Sequence, residues 1–502
     1  MRWKVVFGNL GSILKLFGFA FYVPVIPALY YFEEPLAFGF LPLNALIFLF
    51  MANLTITIGY PLEAFGKAED FHHHEAVVIV SSSWLILALI SSVPFLLSGI
   101  LSSPIDGFFE AMSGMTTTGA TVFPYPLEQH PKSIMMWRAL LQWIGGMGVI
   151  VLSVAILSKL SSGGLSLLEA EAPGPSITRL KPKIMETAKI LWYIYGLLTL
   201  CQTILLMGAG LSLYDAVYHS FTTMSTGGFS NYTGSVGHFG SPVQWIIIVF
   251  MLMGGINFSL HYQAFKGNFK KVLDNEEFRT YMGLLIGTIS VITFLLIGTG
   301  ILPIDSLRYA MFQVVSLSTS TGYATANYDS WPNVARMVIL LLMVVGATAG
   351  STGGGIKVLR ILLVFKMVGR SFKEFINPRR VMVVRMNDKV VDENVLKMIT
   401  MFFMAYIIIM AIGSLLLVAS GMDLLTSISG VISALSNVGP ALAGLGPDFN
   451  FRVVSPAGRL LLSILMWIGR LEIFTAVVLF SPDLYKRKFL GSILKFKGKL
   501  PG

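Results

Sequence analysis

Four short segments of this chain place small polar residues directly ahead of a glycine: GMTTTGATVF around Gly119, TMSTGGFSNY around Gly227, STSTGYATAN around Gly322 and LSNVGPALAG around Gly439. Hydroxyl and carbonyl oxygens gathered in this way can replace the hydration shell of a cation. Glycine takes positive φ without a Cβ clash, which lets successive carbonyls turn toward one axis. The candidate oxygen donors are Thr117, Thr118 and Gly119, then Ser225, Thr226 and Gly227, then Ser320, Thr321 and Gly322, and last Asn437, Val438 and Gly439. The ion itself is expected at the level of Thr118, Thr226, Thr321 and Val438 and the adjacent glycines. One Thr-Gly pair would only turn a loop, but four in register argue for a shared axis.

The elements around these segments repeat as well. The aligned glycines are separated by 108, 95 and 117 residues, close to two membrane spans plus connections. Each copy carries a long apolar run, an aspartate (Asp106, Asp215, Asp305, Asp423), a short apolar run, the glycine segment, a polar loop and a second long run. About 13 residues of helix rise only roughly 20 Å and cannot cross a hydrocarbon core of about 30 Å, so the short run is expected to enter and return on one side. Each aspartate then sits at the start of the short helix, where a carboxylate caps free N–H groups and favours the positive dipole end. Non-helical backbone at membrane depth is tolerated only where it lines water or is buried in protein. The short helices therefore aim their partially negative C-termini at the proposed ring.

Composition sets the class. Of 502 residues, 55% are hydrophobic and 12% charged, and the uncharged runs are too long for a soluble core. Ten apolar stretches, at about 10–32, 38–62, 76–101, 139–158, 190–213, 243–260, 280–302, 337–356, 398–422 and 460–482, are predicted to be spans. The first contains Lys15 and lacks a small-residue cleavage site, so a cleavable signal peptide is not expected. The single cysteine, Cys201, excludes disulfides and cysteine-based metal sites within one chain. A net charge of +10 would point to nucleic acid in a soluble protein. Here the basic residues gather in particular segments: Arg2 and Lys4, then Lys266, Lys270, Lys271 and Arg279, then Arg370, Lys373, Arg379, Arg380 and Arg385, and last Lys486 to Lys499. The positive-inside bias accounts for them without nucleic acid and puts both termini in the cytoplasm.

The second long runs share a glycine pattern: WIGGMG at 143–148, LMGGIN at 252–257, VVGATA at 344–349 and WIGRLE at 467–472. Close packing against the short helices accounts for three of them. In the fourth, Arg470 stands where Gly146, Gly255 or Ala347 stands in the others, a permanent charge at mid-span that must be functional or paired. Glu472 does not share its helix face, which disfavours an intrahelical pair. The third run continues as GATAGSTGGGIK, in which Gly350, Ser351, Thr352, Gly353, Gly354, Gly355 and Lys357 would break a helix. A flexible constriction beneath the ring and a plain packing bend both explain this run; the spacing of its lysine does not fit a phosphate loop. FHHHE at 71–75 puts histidines in different directions on a helix and reads as a polar helix start. Asp215, His219 and Ser220 could form a hydrolytic set, but capping and packing suffice for them.

Taken together, DGFFEAMSGMTTTGAT, YDAVYHSFTTMSTGGFS, FQVVSLSTSTGYATA, SALSNVGPALAG, GATAGSTGGGIKVLR and WIGRLEIFTAVVLFSP resemble the motifs of the Trk/Ktr/HKT superfamily of potassium transporters, in its TrkH-type branch, over nearly the whole chain. The resemblance implies an all-α polytopic membrane protein of four pseudo-symmetric helix, pore-helix, helix units around a central pore, with two extra N-terminal transmembrane helices. It implies potassium selectivity from a glycine in all four segments, a gating loop at 346–357 and an arginine, Arg470, below the filter. NVGP in the fourth segment departs from Thr-Gly, so its contribution is mainly carbonyl. The resemblance further implies a homodimer in the cytoplasmic (inner) membrane and in contact with its lipid. A cytosolic ring-forming regulatory subunit of the TrkA kind would carry any nucleotide, ATP/ADP or NAD, with no covalent cofactor on this chain.

The expected organisation is a two-helix domain at 1–65, pore units at 66–162, 163–272 and 273–375, and a fourth unit with the cytoplasmic C-terminus at 376–502. Two functions compete: a gated, channel-like potassium permease, and a secondary transporter coupling potassium to protons or sodium. Few acidic residues lie deep in the spans to carry coupled protons, which disfavours the second. An intramembrane enzyme would lack a convincing nucleophile and base.

Overall fold

The computed structural model describes residues 1–37, 40–66, 73–148, 184–378 and 382–481. They form an almost wholly helical protein; the strands are two short antiparallel pairs, Leu36–Ala37 with Leu41–Pro42 and Arg385–Met386 with Lys389–Val390. The chain is an all-α polytopic membrane protein. Among the described residues, six helices are long and apolar enough to span: Trp3–Tyr30, Leu43–Phe65, Glu75–Leu97, Ala188–Gly208, Glu276–Ile297 and Glu393–Ala419. A seventh candidate, Ser241–Gly255 with Phe258–Phe265, is bent by 104°.

Of the ten expected spans, the third unit's run at 337–356 breaks at its glycines as expected, and two more break where the sequence reads as continuous. The apolar runs at 243–260, 337–356 and 460–482 all break, each for a local reason. Asn257 caps a new helix by accepting from Ser259 N at 2.9 Å. Gly346 closes helix Asn333–Val345 at φ +75°. Helix Pro456–Arg470 stops ahead of Glu472, which lies at φ +55°. The run at 139–158 leaves the described residues after position 148.

Two N-terminal helices, Trp3–Gly18 and Leu43–Phe65, lie flush because glycines meet glycines. A Cβ on Gly11 would come within 2.7 Å of Gly59 O, and one on Gly59 within 2.8 Å of Gly11 O. At this contact Lys15 Nζ meets Glu63 Oε2 at 2.5 Å, which neutralises the lysine inside the first apolar run. The pair docks on the first unit through Trp137, whose ring stacks on Phe21 at 4.3 Å between centroids, with Phe17 and Phe48 edge-on.

Each short helix lies between a long outer helix and an inner helix. The outer helices are His73–Leu97, Ile184–Gly208, Glu276–Ile297 and Glu393–Ala419. The inner ones are 132–148, Ser241–Gly255, Asn333–Val345 and Pro456–Arg470. Histidines 72 to 74 and the loop arginines at 379 and 380 lie outside the residues whose side chains are described. Glu75, next to those histidines, pairs with Arg2 at 2.7 Å.

Candidate functional site

The short helices are Pro104–Met115, Leu213–Met224, Pro303–Ser318 and Leu424–Leu435, of 12, 12, 16 and 12 residues. At about 1.5 Å per residue none reaches 30 Å. All four aspartates occupy the helix start, but they are satisfied differently. Asp423 is the N-cap and accepts from Thr426 N at 3.1 Å. Asp215 sits in the first turn behind the cap Ser212 and also accepts from Asn231 Nδ2 at 2.8 Å. Asp305 pairs with Arg308 at 2.8 Å, and Asp106 with Arg459 of the fourth inner helix.

Beyond each helix the backbone repeats three steps. A capping hydroxyl residue comes first: Thr116, Ser225, Thr319 or Ser436. A non-glycine at positive φ follows: Thr117 (50°), Thr226 (52°), Ser320 (59°) and Asn437 (53°). The next amide bonds back into the helix: Thr118 N to Ser113 O at 2.9 Å, Gly227 N to Thr222 O at 2.9 Å, Thr321 N to Ser316 O at 2.8 Å and Val438 N to Ser433 O at 2.9 Å. A glycine at positive φ closes the pattern: Gly119, Gly228, Gly322 and Gly439.

This pattern corrects the register of the second unit by one residue. The backbone counterpart of Gly119 is Gly228, and Gly227 corresponds to Thr118; Thr226 moves back to the level of Thr117, and Ser225 becomes the helix cap. Two adjacent glycines made the alignment ambiguous. The aspartate spacing does not resolve it, because the glycine follows its aspartate by 13 residues in the first unit but by 17 and 16 in the third and fourth.

The four segments form a closed ring. A Cβ added to Gly119 would collide with the Gly227 carbonyl oxygen, on Gly228 with that of Thr321, on Gly322 with that of Val438, and on Gly439 with that of Thr118. Each segment thus lies against the next, and the fourth returns to the first. Asn437 reinforces that last seam, donating to Thr118 Oγ1 at 3.0 Å and to Met466 O at 2.9 Å. The hydroxyls of Thr118 and Thr321 turn back to Thr116 and Thr319 at 2.8 and 2.7 Å. The atoms left to face an ion at this level are therefore backbone oxygens.

Directly beneath the ring lie the inner-helix glycines and the loop at 346–357. A Cβ on Gly145 would strike Met115 O, and one on Gly469 would strike Leu435 O, so these glycines let the inner helices reach the pore-helix ends. In the third unit the helix ends instead, and the loop crosses toward its neighbours. Thr352 Oγ1 lies 3.0 Å from Gly254 O and 3.1 Å from Met224 O, while Gly354 N donates to Ser320 Oγ at 2.6 Å. Gly354 also abuts Ser436 O. The loop therefore touches the ends of the second, third and fourth pore helices. Lys357, at φ +81°, folds its ammonium onto Gly353 O at 2.5 Å.

Arg470 is 5% exposed and donates from Nη1 to Thr352 O at 2.8 Å. Its Nε and Nη2 have no protein partner. Among the described residues no carboxylate pairs with it; Glu472 is held by Arg360, on the helix Val358–Ile376 that follows the loop. The arginine and the loop, separate features of the sequence, are one structural unit.

The histidine set resolves as packing. His219 Nδ1 lies 2.9 Å from the backbone carbonyl of Asp215, so it carries the proton there, and Nε2 lies 3.3 Å from Ser230 Oγ. Ser220 Oγ has no partner, and a carboxylate-imidazole-hydroxyl relay is not formed. Sequence reasoning passed over two other residues, Arg138 and Gln142, lone polar groups on an apolar helix. Arg138 Nε binds Glu110 at 2.7 Å and its Nη2 binds Thr121 at 3.0 Å; Glu110 also accepts from Val122 N at 2.9 Å. The pair is wholly buried behind the first segment. An arginine and a glutamine four apart on an otherwise apolar face were the available signal.

This architecture, short helices whose ends close a ring of backbone oxygens over a glycine-rich loop, is that of a membrane cation-transport protein. Comparison with known proteins gives the family. The TrkH cation transport protein model matches residues 46–308 and 302–489, and the chain belongs to that family. A Trk system potassium uptake protein TrkH of Salmonella typhimurium is 39% identical over 423 residues, covering 83% of this chain and 87% of the relative. One from Halomonas elongata is 34% identical over 496 residues, covering 97% and 100%. The crystal structure of the potassium transporter TrkH from Vibrio parahaemolyticus superposes with a TM-score of 0.87 at 33% identity, covering 97% of this chain and all of that one.

Proposed function

We propose that this chain takes up potassium across the cytoplasmic membrane through a gated, channel-like pore, without catalysis of its own. The observation that carries the reading is the closed ring, in which each glycine segment abuts the carbonyl of the next. The selectivity filter is then Thr117–Gly119, Thr226–Gly228, Ser320–Gly322 and Asn437–Gly439, with ions at the carbonyl level of Thr118, Gly227, Thr321 and Val438. Residues 346–357 with Arg470 form the gate. The relatives are named potassium uptake proteins, which supports the choice of ion.

Division into a two-helix N-terminal domain and four pore units fits the four repeated backbone patterns. Cytoplasmic termini in a cell inner membrane follow from the basic segments. A homodimer, and a cytosolic ring subunit that carries the nucleotide, accord with relatives named as members of a Trk system. The reading is tested by rubidium uptake into vesicles holding the purified protein, with an imposed proton gradient as a second variable. Uptake competed by potassium and not by sodium, without dependence on the proton gradient, supports a selective pore. Uptake that needs the gradient replaces it with a coupled carrier.

A further inference from the structure

Aligned on Gly145, Gly254, Gly346 and Gly469, the inner helices carry Gln142 where the other three carry Met251, Met343 and Met466. All four side chains are fully buried. One turn earlier Arg138 stands against Ile247, Ile339 and Leu462. The departure faces a second one. Where the other segments have Thr118, Thr321 and Val438, the second has Gly227.

The two departures fit each other. A Cβ on Gly227 would lie within 2.8 Å of the carboxamide carbon, oxygen and nitrogen of Gln142, so a side chain there would have to push the carboxamide off its hydrogen bonds. Gln142 Nε2 donates to Gly227 O at 2.7 Å, and Gln142 Oε1 accepts from Phe229 N at 3.0 Å. The amide thus fastens both flanks of the Gly227–Gly228 pair. Among the described residues, no donor reaches the carbonyls of Thr118, Thr321 or Val438. A tandem glycine has more backbone freedom than any other dipeptide and loses the most on being ordered. In the first and third segments stiffness comes instead from the threonine hydroxyls bound to Thr116 and Thr319.

We propose that Gln142 is a specificity-determining positioning residue. Reaching from the first unit's inner helix, its carboxamide fixes the Gly227 carbonyl of the second quadrant, where the first and third quadrants are stiffened by the filter threonine's own hydroxyl. One oxygen of the ring is thereby shared between the ion and an amide donor, so the ring is fourfold in backbone and not in chemistry. This rests on the filter reading given above.

The test measures potassium and sodium flux ratios in vesicles for wild type, Gln142→Met, Gln142→Glu, Gly227→Thr and the double variant Gln142→Met with Gly227→Thr. Gln142→Met frees the di-glycine and is expected to lower the potassium-to-sodium ratio about tenfold, the worth of one or two buried hydrogen bonds. Gln142→Glu keeps the acceptor for Phe229 N, sets a carboxylate against the Gly227 carbonyl, and should lower the ratio further. Gly227→Thr alone collides with the carboxamide and should abolish flux, whereas the double variant rebuilds the pattern of the other quadrants and should recover both flux and ratio. A wild-type ratio in folded Gln142→Met, or a double variant no better than the worse single one, overturns the proposal. If Gln142→Met does not fold, the double variant against Gly227→Thr decides in the same way. An unselective wild type would instead overturn the filter reading itself.

Discussion

The ring segments and the inner helices beneath them follow opposite rules. The segments repeat one backbone path four times, with the same sequence of cap, positive φ, back-bonded amide and glycine, although their side chains range from threonine to asparagine and valine. The first, second and fourth inner helices meet the short-helix ends at a glycine, the third turns into its loop at the corresponding Gly346, and otherwise they diverge. The first carries Arg138 and Gln142, the third dissolves into a loop, and the fourth ends on Arg470. Repetition is kept in the backbone of the ring and dropped in the helices that brace it. Coordination by carbonyls constrains the backbone and leaves the side chains free; the proposed gate is a single element, the loop of the third unit, fastened to its neighbours through Thr352, Gly354 and Arg470.

Breaking the first unit's brace should have the largest effect. Glu110→Ala leaves Arg138 buried and unpaired and should destabilise the protein by about 3–5 kcal/mol. Thermal unfolding in detergent measures it, and replacing Arg138 and Glu110 together by leucine should recover most of the loss. Next comes the fourth unit. A guanidinium about 5 Å from a passing cation, at an effective dielectric of about 20, opposes it by roughly 3 kcal/mol, so Arg470→Gln should raise flux by at most about a hundredfold. Its unfolding temperature should change little, because no carboxylate is left unpaired. Loss of stability without gain of flux would make the arginine structural. The smallest effect is expected in the third unit. Thr352→Val removes the hydroxyl that holds the loop to Gly254 O and Met224 O. At about 1 kcal/mol for such a bond, basal flux should rise about fivefold. Neither gate variant should change the ratio of potassium to sodium flux, which separates the gate from the ring.

The short helices and the shared positive φ of Gly119, Gly322 and Gly439 were legible in the sequence because hydrophobic run length limits what can cross a bilayer and the glycine motifs recur. The break at Gly346 was legible as a glycine-rich run, though not what it touched. The register at Gly227 and Gly228 was not legible, because the local motif contains two glycines and only the folded backbone, with Gly228 at positive φ, separates them. The interruptions after Gly255 and Arg470 were hidden by continuous apolar runs, since hydropathy does not record where an asparagine cap or a positive φ ends a helix. The roles of Gln142 and Arg138 were not legible for a related reason: their partners, Gly227, Phe229 and Glu110, come from other elements and are defined only once the chain has folded.

That the four segments act as one selective ring is tested most directly by placing serine at Gly119 and, separately, at Gly228, and measuring rubidium uptake competed by potassium or sodium in vesicles. Both glycines hold positive φ against a neighbouring carbonyl. The account predicts that wild type is blocked by potassium and not by sodium, and that the two serines erode this preference to a similar extent. Equal competition by both ions in wild type, or a harmless serine at Gly228 beside a damaging one at Gly119, would contradict it.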